Sequence, residues 1–180
     1  MIESVNIFSL GAAAHIPYKE NPVQNLWVSM SDPEDNSKVN KLKTKLRQRG
    51  IPCFTQYFRD WSDEDTEPYI LANINDQGPQ VSHINNIISF LEPYVASDTP
   101  YRLGVNCYAG ISRSTAVGII AWVMQGKSPE EALQSILDVR AIAWPNLRML
   151  KFASVRLGVD ILSPVEKWKN ELKGIIAYEL

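Results

Sequence analysis

Apolar and polar positions change period several times along the chain, and each change marks an element. Residues 4–10 alternate loosely before Gly11, and residues 26–30 form a second short apolar run that stops at Ser31-Asp32-Pro33; both read as strands. Between 38 and 49, Val39, Leu42 and Leu46 fall on one helical face, Lys and Arg cover the rest, and Gly50 supplies a stop. That spacing predicts an amphipathic surface helix. Residues 51–58 are rich in β-favouring side chains and lead through Arg59-Asp60-Trp61 into the acidic, turn-prone stretch 62–68, so a strand feeding a loop is expected. Ile84, Ile87, Ile88 and Leu91 keep i, i+3, i+4, i+7 spacing and predict a helix over 81–95 with one buried stripe; the stretch just before it is the least defined.

Residues 102–105 have the run of an interior strand, and 115–124 that of a nearly all-apolar buried helix. After Gly126, Ser128-Pro129-Glu130-Glu131 places an N-cap Ser, an N1 Pro and an N3 Glu ahead of Ala132, Leu133, Ile136 and Leu137. Trp144-Pro145-Asn146 breaks that helix, Asn146 can cap another through 150–157, and Val165, Trp168, Leu172, Ile175 and Ile176 mark a terminal one. Strands alternating with helices predict an α/β fold with a central, mostly parallel sheet flanked by helices and a helix-rich C-terminal third. No repeat or low-complexity tract is visible, and 180 residues suit a single domain over 1–180.

Charge and cysteine usage narrow the function. With 18 Lys and Arg against 20 Asp and Glu and no long basic run, neither nucleic acid nor an anionic membrane is an expected partner. The longest strongly apolar stretch, 116–124, falls short of the roughly 20 residues a membrane span needs. Cys53 and Cys107 cannot build a disulfide framework, and the N-terminus carries Glu3 and no basic leader region, which predicts a reducing, cytoplasmic setting. Cys53 reads as a buried strand cysteine, with oxidation to a protective Cys53–Cys107 disulfide as the alternative. His15 and His83 form no ligand pair at metal spacing with the cysteines, so metal-dependent chemistry is disfavoured and no cofactor is expected.

The chemistry concentrates at Asn106-Cys107-Tyr108-Ala109-Gly110-Ile111-Ser112-Arg113-Ser114, a strand-to-helix junction. A cysteine with Gly at +3, Arg at +6 and Ser at +7 arises by chance roughly once in several thousand cysteines. The five residues between Cys107 and Arg113, which are Tyr108, Ala109, Gly110, Ile111 and Ser112, can fold around one centre and aim successive N–H groups inward. Gly110 permits a left-handed turn, and the following helix adds its positive dipole end. Arg113 can grip two phosphate oxygens with its planar fork. The same field favours a thiolate at Cys107, and thiolates are the nucleophilic form.

This run, from Val105 through Ser114 into Thr115-Ala116-Val117, resembles the signature loop of cysteine-based protein tyrosine phosphatases, most of all the compact dual-specificity branch and related small microbial enzymes. A weaker likeness spans residues 26–152, where Ala143-Trp144-Pro145-Asn146-Leu147-Arg148 looks like the Pro-Asn element that follows the signature. The resemblance implies a phosphatase-like sheet and a phosphomonoesterase acting on phosphorylated protein or peptide. In its two-step mechanism Cys107 attacks phosphorus, Arg113 and the loop amides hold the transferring group, and Ser114 eases departure of the thiolate from a cysteinyl-phosphate. The family's His before the nucleophile is replaced by Asn106, whose amide can donate to backbone or sulfur but brings no titratable charge. That difference leaves open a module that binds phosphoryl groups without turnover. A phosphatase of a small phosphorylated metabolite or lipid is a third reading; the loop interior offers no Lys or Arg to neutralise additional phosphates.

Such chemistry also needs a general acid for the leaving group. Asp60, Asp63, Asp65 and Asp76 are the candidates. Asp76 has the sequence separation from Cys107 closer to the family's layout, whereas Asp60 has its element order, directly after a strand that follows a helix. Parallel strands would deliver Asp60 and Cys107 to one sheet edge, so Asp60 is the expected acid.

Overall fold

The computed structural model describes residues 1–15 and 25–178. Strands β1 (Ile2–Ser9), β2 (Leu26–Ser31), β3 (Cys53–Tyr57) and β4 (Tyr101–Cys107) form one parallel sheet in the order β1-β4-β2-β3. Because every pairing is parallel, the C-terminal ends gather at one edge: Ser9 lies opposite Cys107 and Ser31 opposite Tyr57.

Helices cover both faces, which is why β2 and β4 read as nearly unbroken apolar runs. On one face, α1 (Leu10–His15) and α2 (Asn36–Arg47) pack Leu10, Ala13, Val39, Leu42 and Leu46 against Trp27. The predicted stripe of α2 is the stripe that is buried. On the other face, α5 (Arg113–Met124) is buried nearly all round, lying between the sheet and the helices α4 (Val81–Val95), α6 (Pro129–Val139) and α7 (Leu147–Leu157). This explains why its sequence shows little amphipathic pattern. The capping box of α6 is formed as its sequence predicts, with Ser128 Oγ accepting from Glu131 N and Glu131 Oε2 accepting from Ser128 N.

Two helices escaped the periodicity reading. The six-residue α1 begins at Leu10, a position expected to end the strand, and is too short to repeat a pattern. The other, α3 (Pro68–Gln77), occupies the least defined stretch; it buries only Ile74 and exposes Tyr69 and Leu71, so it has no apolar stripe to betray it. The terminal helix α8 (Leu162–Tyr178) buries Val165 and half-buries Trp168, while the side chains of Ile175 and Ile176 lie outside the described residues. Among the described residues no helix is long and apolar enough to cross a membrane.

Candidate active site

Strand β4 ends on Cys107 and α5 begins at Arg113, so the motif is a loop folded between the middle of the sheet and the N-terminus of its most buried helix. Gly110 takes φ of 72°, and a Cβ there would stand 2.7 Å from the carbonyl of Phe8, so the turn needs glycine for both its conformation and its packing. The loop's carbonyls point away from its centre and are occupied. Arg140 donates from Nε to Gly110 O at 2.9 Å and from Nη2 to Ala109 O at 3.1 Å. Trp144 N donates to Ile111 O, and Thr115 Oγ1 donates to Ile111 O and Ser112 O. On the inner side of the loop, Gly110 N donates to Cys107 Sγ at 3.3 Å. Ser114 Oγ lies 3.2 Å from the same sulfur.

Arg113 is 1% exposed, and its guanidinium is held from several directions. Nη1 donates to Phe58 O at 2.6 Å and to Asp32 Oδ1 at 3.0 Å. Its Nε lies 3.6 Å from Asp60 Oδ2, an ion-pair separation, and takes no hydrogen-bond acceptor among the described residues. A buried N–H without an acceptor, on the arginine that closes the loop, is a donor suited to an oxyanion.

Asp60 arrives at this edge from the end of β3, as the parallel-sheet argument requires. Its Oδ1 accepts from Ser112 Oγ at 2.7 Å and from Asn146 Nδ2 at 3.0 Å. The other acids have different engagements. Asp63 pairs with Arg148 and Lys151, and although burial pushes its carboxyl up, those two cations outweigh it and hold it below the usual carboxylate range. Asp65 accepts from Ser62 N, and Asp76 is exposed on α3. Tyr108, at 55% exposed, points out of the loop with its ring 5.7 Å from Lys38 Nζ, so it borders the site rather than lining its floor.

Several residues of the site carried no recognisable signal in the sequence. Asp32 reads in the sequence as part of a strand stop, yet it follows β2, which neighbours β4, and the edge argument that places Asp60 applies equally to it. Asn146, a predicted helix cap within the Pro-Asn element, does cap through Met149 N; its reach to Asp60 and Trp61 O is what the sequence does not show. Arg140 had no signal, since its partners are backbone carbonyls thirty residues away.

One expectation is corrected, and one alternative falls. Asn106 donates neither to the loop nor to the sulfur: its Oδ1 accepts from Trp27 Nε1 at 2.7 Å, and its Nδ2 has no partner among the described residues. Strand alternation puts Asn106 on the Trp27 face of β4 and Cys107 on the α5 face. A protective Cys53–Cys107 disulfide is also ruled out. Cys53 is in register with Trp27, which is in register with Gly104, so it lies two strands and three residues away from Cys107. Two strand spacings alone come to about 9.5 Å, beyond the roughly 7 Å limit on Cα separation for a disulfide. Burial pushes the Cys53 thiol up to about 12, which leaves it unreactive.

No protein-family model matches the sequence, and no curated relative aligns with it significantly. Solved structures do resemble it. Human DUSP28 superposes with a TM-score of 0.54 at 20% identity, covering 85% of this chain and 87% of that one. Cydia pomonella PTP-2 phosphatase gives 0.57 at 14% identity over 85% of each chain. PTPMT1 in complex with PI(5)P gives 0.52 at 15% identity over 84% of this chain and 88% of that one. The chain has the phosphatase-like α/β fold of the small dual-specificity phosphatases.

Proposed function

We propose that this chain is a cysteine-dependent phosphomonoesterase whose substrates are phosphorylated proteins or peptides. The observation that carries the reading is the convergence on Cys107 Sγ of an amide donor, Gly110 N, and a hydroxyl, Ser114 Oγ, at the foot of a loop closed by a buried arginine.

The chemistry follows from these contacts. Cys107 Sγ attacks phosphorus, forming the S–P bond as the P–O bond to the leaving group breaks. The loop amides and the Arg113 fork take up the charge on the three equatorial oxygens. Asp60, at the rim beside Ser112, gives its proton to the departing oxygen and later takes one from the water that attacks the cysteinyl-phosphate. In that second step the S–P bond breaks, and the hydroxyl of Ser114 donates to the leaving thiolate. Asn106 anchors β4 through Trp27 and takes no part in the chemistry.

The test is hydrolysis of an activated aryl phosphate by purified protein, insensitive to chelator and blocked by vanadate. Cys107→Ser should abolish turnover and keep vanadate or phosphate binding. Arg113→Lys should lose about 10²- to 10³-fold in kcat. Phosphotyrosine and phosphothreonine peptides, a monophosphoinositide and sugar phosphates, compared at equal concentration, separate a protein substrate from a lipid or metabolite. Vanadate binding with no turnover on any of them identifies a phosphoryl-binding module.

A further inference from the structure

The segment carrying Asp60 is tied to the C-terminal helices at each of several successive positions. Trp61 O accepts from Asn146 Nδ2, and Asp63 accepts from Arg148 and Lys151. Glu64 accepts from Lys169 Nζ at 2.5 Å and Lys173 Nζ at 3.1 Å, both on α8. Lys169 is the unusual member. It is 1% exposed, whereas Arg148 and Lys151 reach Asp63 from less enclosed positions. Lysines are almost never fully buried without a partner, because withdrawing an ammonium from water is strongly unfavourable. A loop that needed only a surface anchor could have used a solvated lysine.

What the burial achieves is a connection between the two halves of the site. The Lys169 ammonium faces Glu64 on one side and the ring of Trp144 on the other, 4.6 Å from its centroid. Glu64 is four residues beyond Asp60. Trp144 N donates to Ile111 O of the phosphate loop. A single buried cation thus touches both the segment that carries the acid and a residue that holds the cradle. Between them lies a cavity of about 360 Å³ lined by Asp60, Glu64, Ser112, Asn146 and Lys169, so α8 forms one wall of the space beside Asp60 and Ser112. Burial pushes the Lys169 amine down, an effect that Glu64 partly opposes. Burial pushes the Glu64 carboxyl up, and the two lysines more than reverse it.

We propose that Lys169 is a positioning residue that, through Glu64 and Trp144, holds the Asp60 segment against the phosphate loop, so that proton delivery to the leaving group depends on helix α8. The inference rests on the phosphomonoesterase reading for its catalytic consequence, but its structural half can be tested without any turnover.

Lys169→Met keeps the length of the stem and removes the charge; Glu64→Gln, at a more exposed residue, removes the partner's charge while its amide oxygen still offers the ammonium an acceptor. For both, phenyl phosphate hydrolysis should fall about 10-fold or more in kcat, a part of the roughly 10²- to 10⁴-fold that a general acid supplies. An activated aryl phosphate and vanadate affinity should change less than about twofold, because good leaving groups need little acid and the cradle is intact. Amide hydrogen exchange over residues 59–67 should accelerate in each variant, and the double variant should be no worse than Lys169→Met alone, because both act on the same contact. Arg156→Ala, which breaks an exposed pair with Glu92, should change none of these readouts. Equal losses on both substrates, or unchanged exchange over 59–67, would overturn the proposal. If the wild-type protein hydrolyses nothing, the phosphatase reading fails, while the exchange comparison still decides whether Lys169 holds the segment.

Discussion

Asp32 and Arg113 form an ion pair of 3.0 Å in which the arginine side chain is 2% exposed and the aspartate 31% exposed. A guanidinium this buried takes its orientation from its partners, and Asp32 is the charged partner that bonds Nη1 directly. It leaves Nε pointing elsewhere, so the aspartate aims the fork without consuming all of it.

Asp32→Asn should therefore impair the site without unfolding the chain. Phe58 O still holds Nη1, but a neutral amide can turn its NH₂ toward the arginine, and small misplacements of a charge-stabilising group are expensive. The expected outcome is a fall of about 10- to 100-fold in kcat/KM together with weaker vanadate binding. Unchanged vanadate affinity would mean that Phe58 O and Asp60 suffice to aim Arg113.

Asp60 is expected to behave as an acid. Asp60→Asn should depress hydrolysis of phenyl or alkyl phosphates about 10²- to 10⁴-fold, leave an activated aryl ester far less affected, and remove the basic limb of the kcat/KM profile. Asp76→Asn, at an exposed position of α3, should do none of this. If Asp32→Asn rather than Asp60→Asn produced the leaving-group dependence, the two carboxylates flanking Arg113 would exchange the roles assigned to them here.

How much of this was legible follows from where each signal resides. Strands and helices with a buried face announce themselves by period, so β2, α2, α4 and the capping box of α6 were readable, as was a loop whose residue types are dictated by local backbone geometry. Asp60 could be placed because parallel strands share an edge. Asp32 satisfied the same rule but stood beside Pro33 in what reads as an ordinary strand stop. Arg140 and Lys169 were beyond reach, since their partners are remote in sequence and nothing in a lone Arg or Lys shows that tertiary structure will bury or aim it. Asn106 was seen, but its partner Trp27 is 79 residues away, so its chemistry was assigned to the wrong neighbour.

That reassignment gives a third prediction. Asn106→Leu removes the acceptor for the Trp27 indole N–H inside the core, and an unsatisfied buried donor is unfavourable by about 1–3 kcal/mol. Thermal unfolding should shift down by several degrees, at roughly 2–4 °C per kcal/mol for a chain of this size. The kcat/KM of the folded protein should stay near wild type. Lost activity at unchanged stability would show that Asn106 shapes the loop after all.

Gly110→Ala should act in the opposite sense, on the site more than the fold. The alanine must adopt a left-handed conformation, unfavourable by about 1–2 kcal/mol. Its Cβ would also meet the Phe8 carbonyl and Ser9 N, backbone atoms that cannot swing away. The loop must then open away from β1, carrying the Gly110 N–H off the sulfur. Vanadate binding should weaken by at least about tenfold, as expected when a donor is displaced by an ångström. Retained affinity would mean that the cradle does not depend on this turn.

The last prediction concerns acid pH. His83 Nδ1 accepts from Gln80 N at the start of α4, which requires an unprotonated Nδ1, and the ring stacks on Phe58 at 4.8 Å, the residue whose carbonyl holds Arg113. Burial pushes the His83 imidazole below its ordinary 6.5. A base depressed in the folded state binds fewer protons there than in the unfolded chain, so stability increases with pH across the interval between the two values. The contribution is complete above the unfolded value and is lost as pH falls through the folded one. The urea midpoint of the wild-type protein should therefore decline as pH falls below about 6.5, and His83→Gln should flatten that decline while lowering the midpoint near neutrality. The lysine- and arginine-paired carboxylates Asp63 and Glu64 are held below their ordinary values and lose their contribution at more acid pH, so their effect is separable. Parallel curves for wild type and variant across this interval would show that His83 remains capped and neutral without affecting stability, and that the link from α4 through Phe58 to Arg113 is not pH-sensitive.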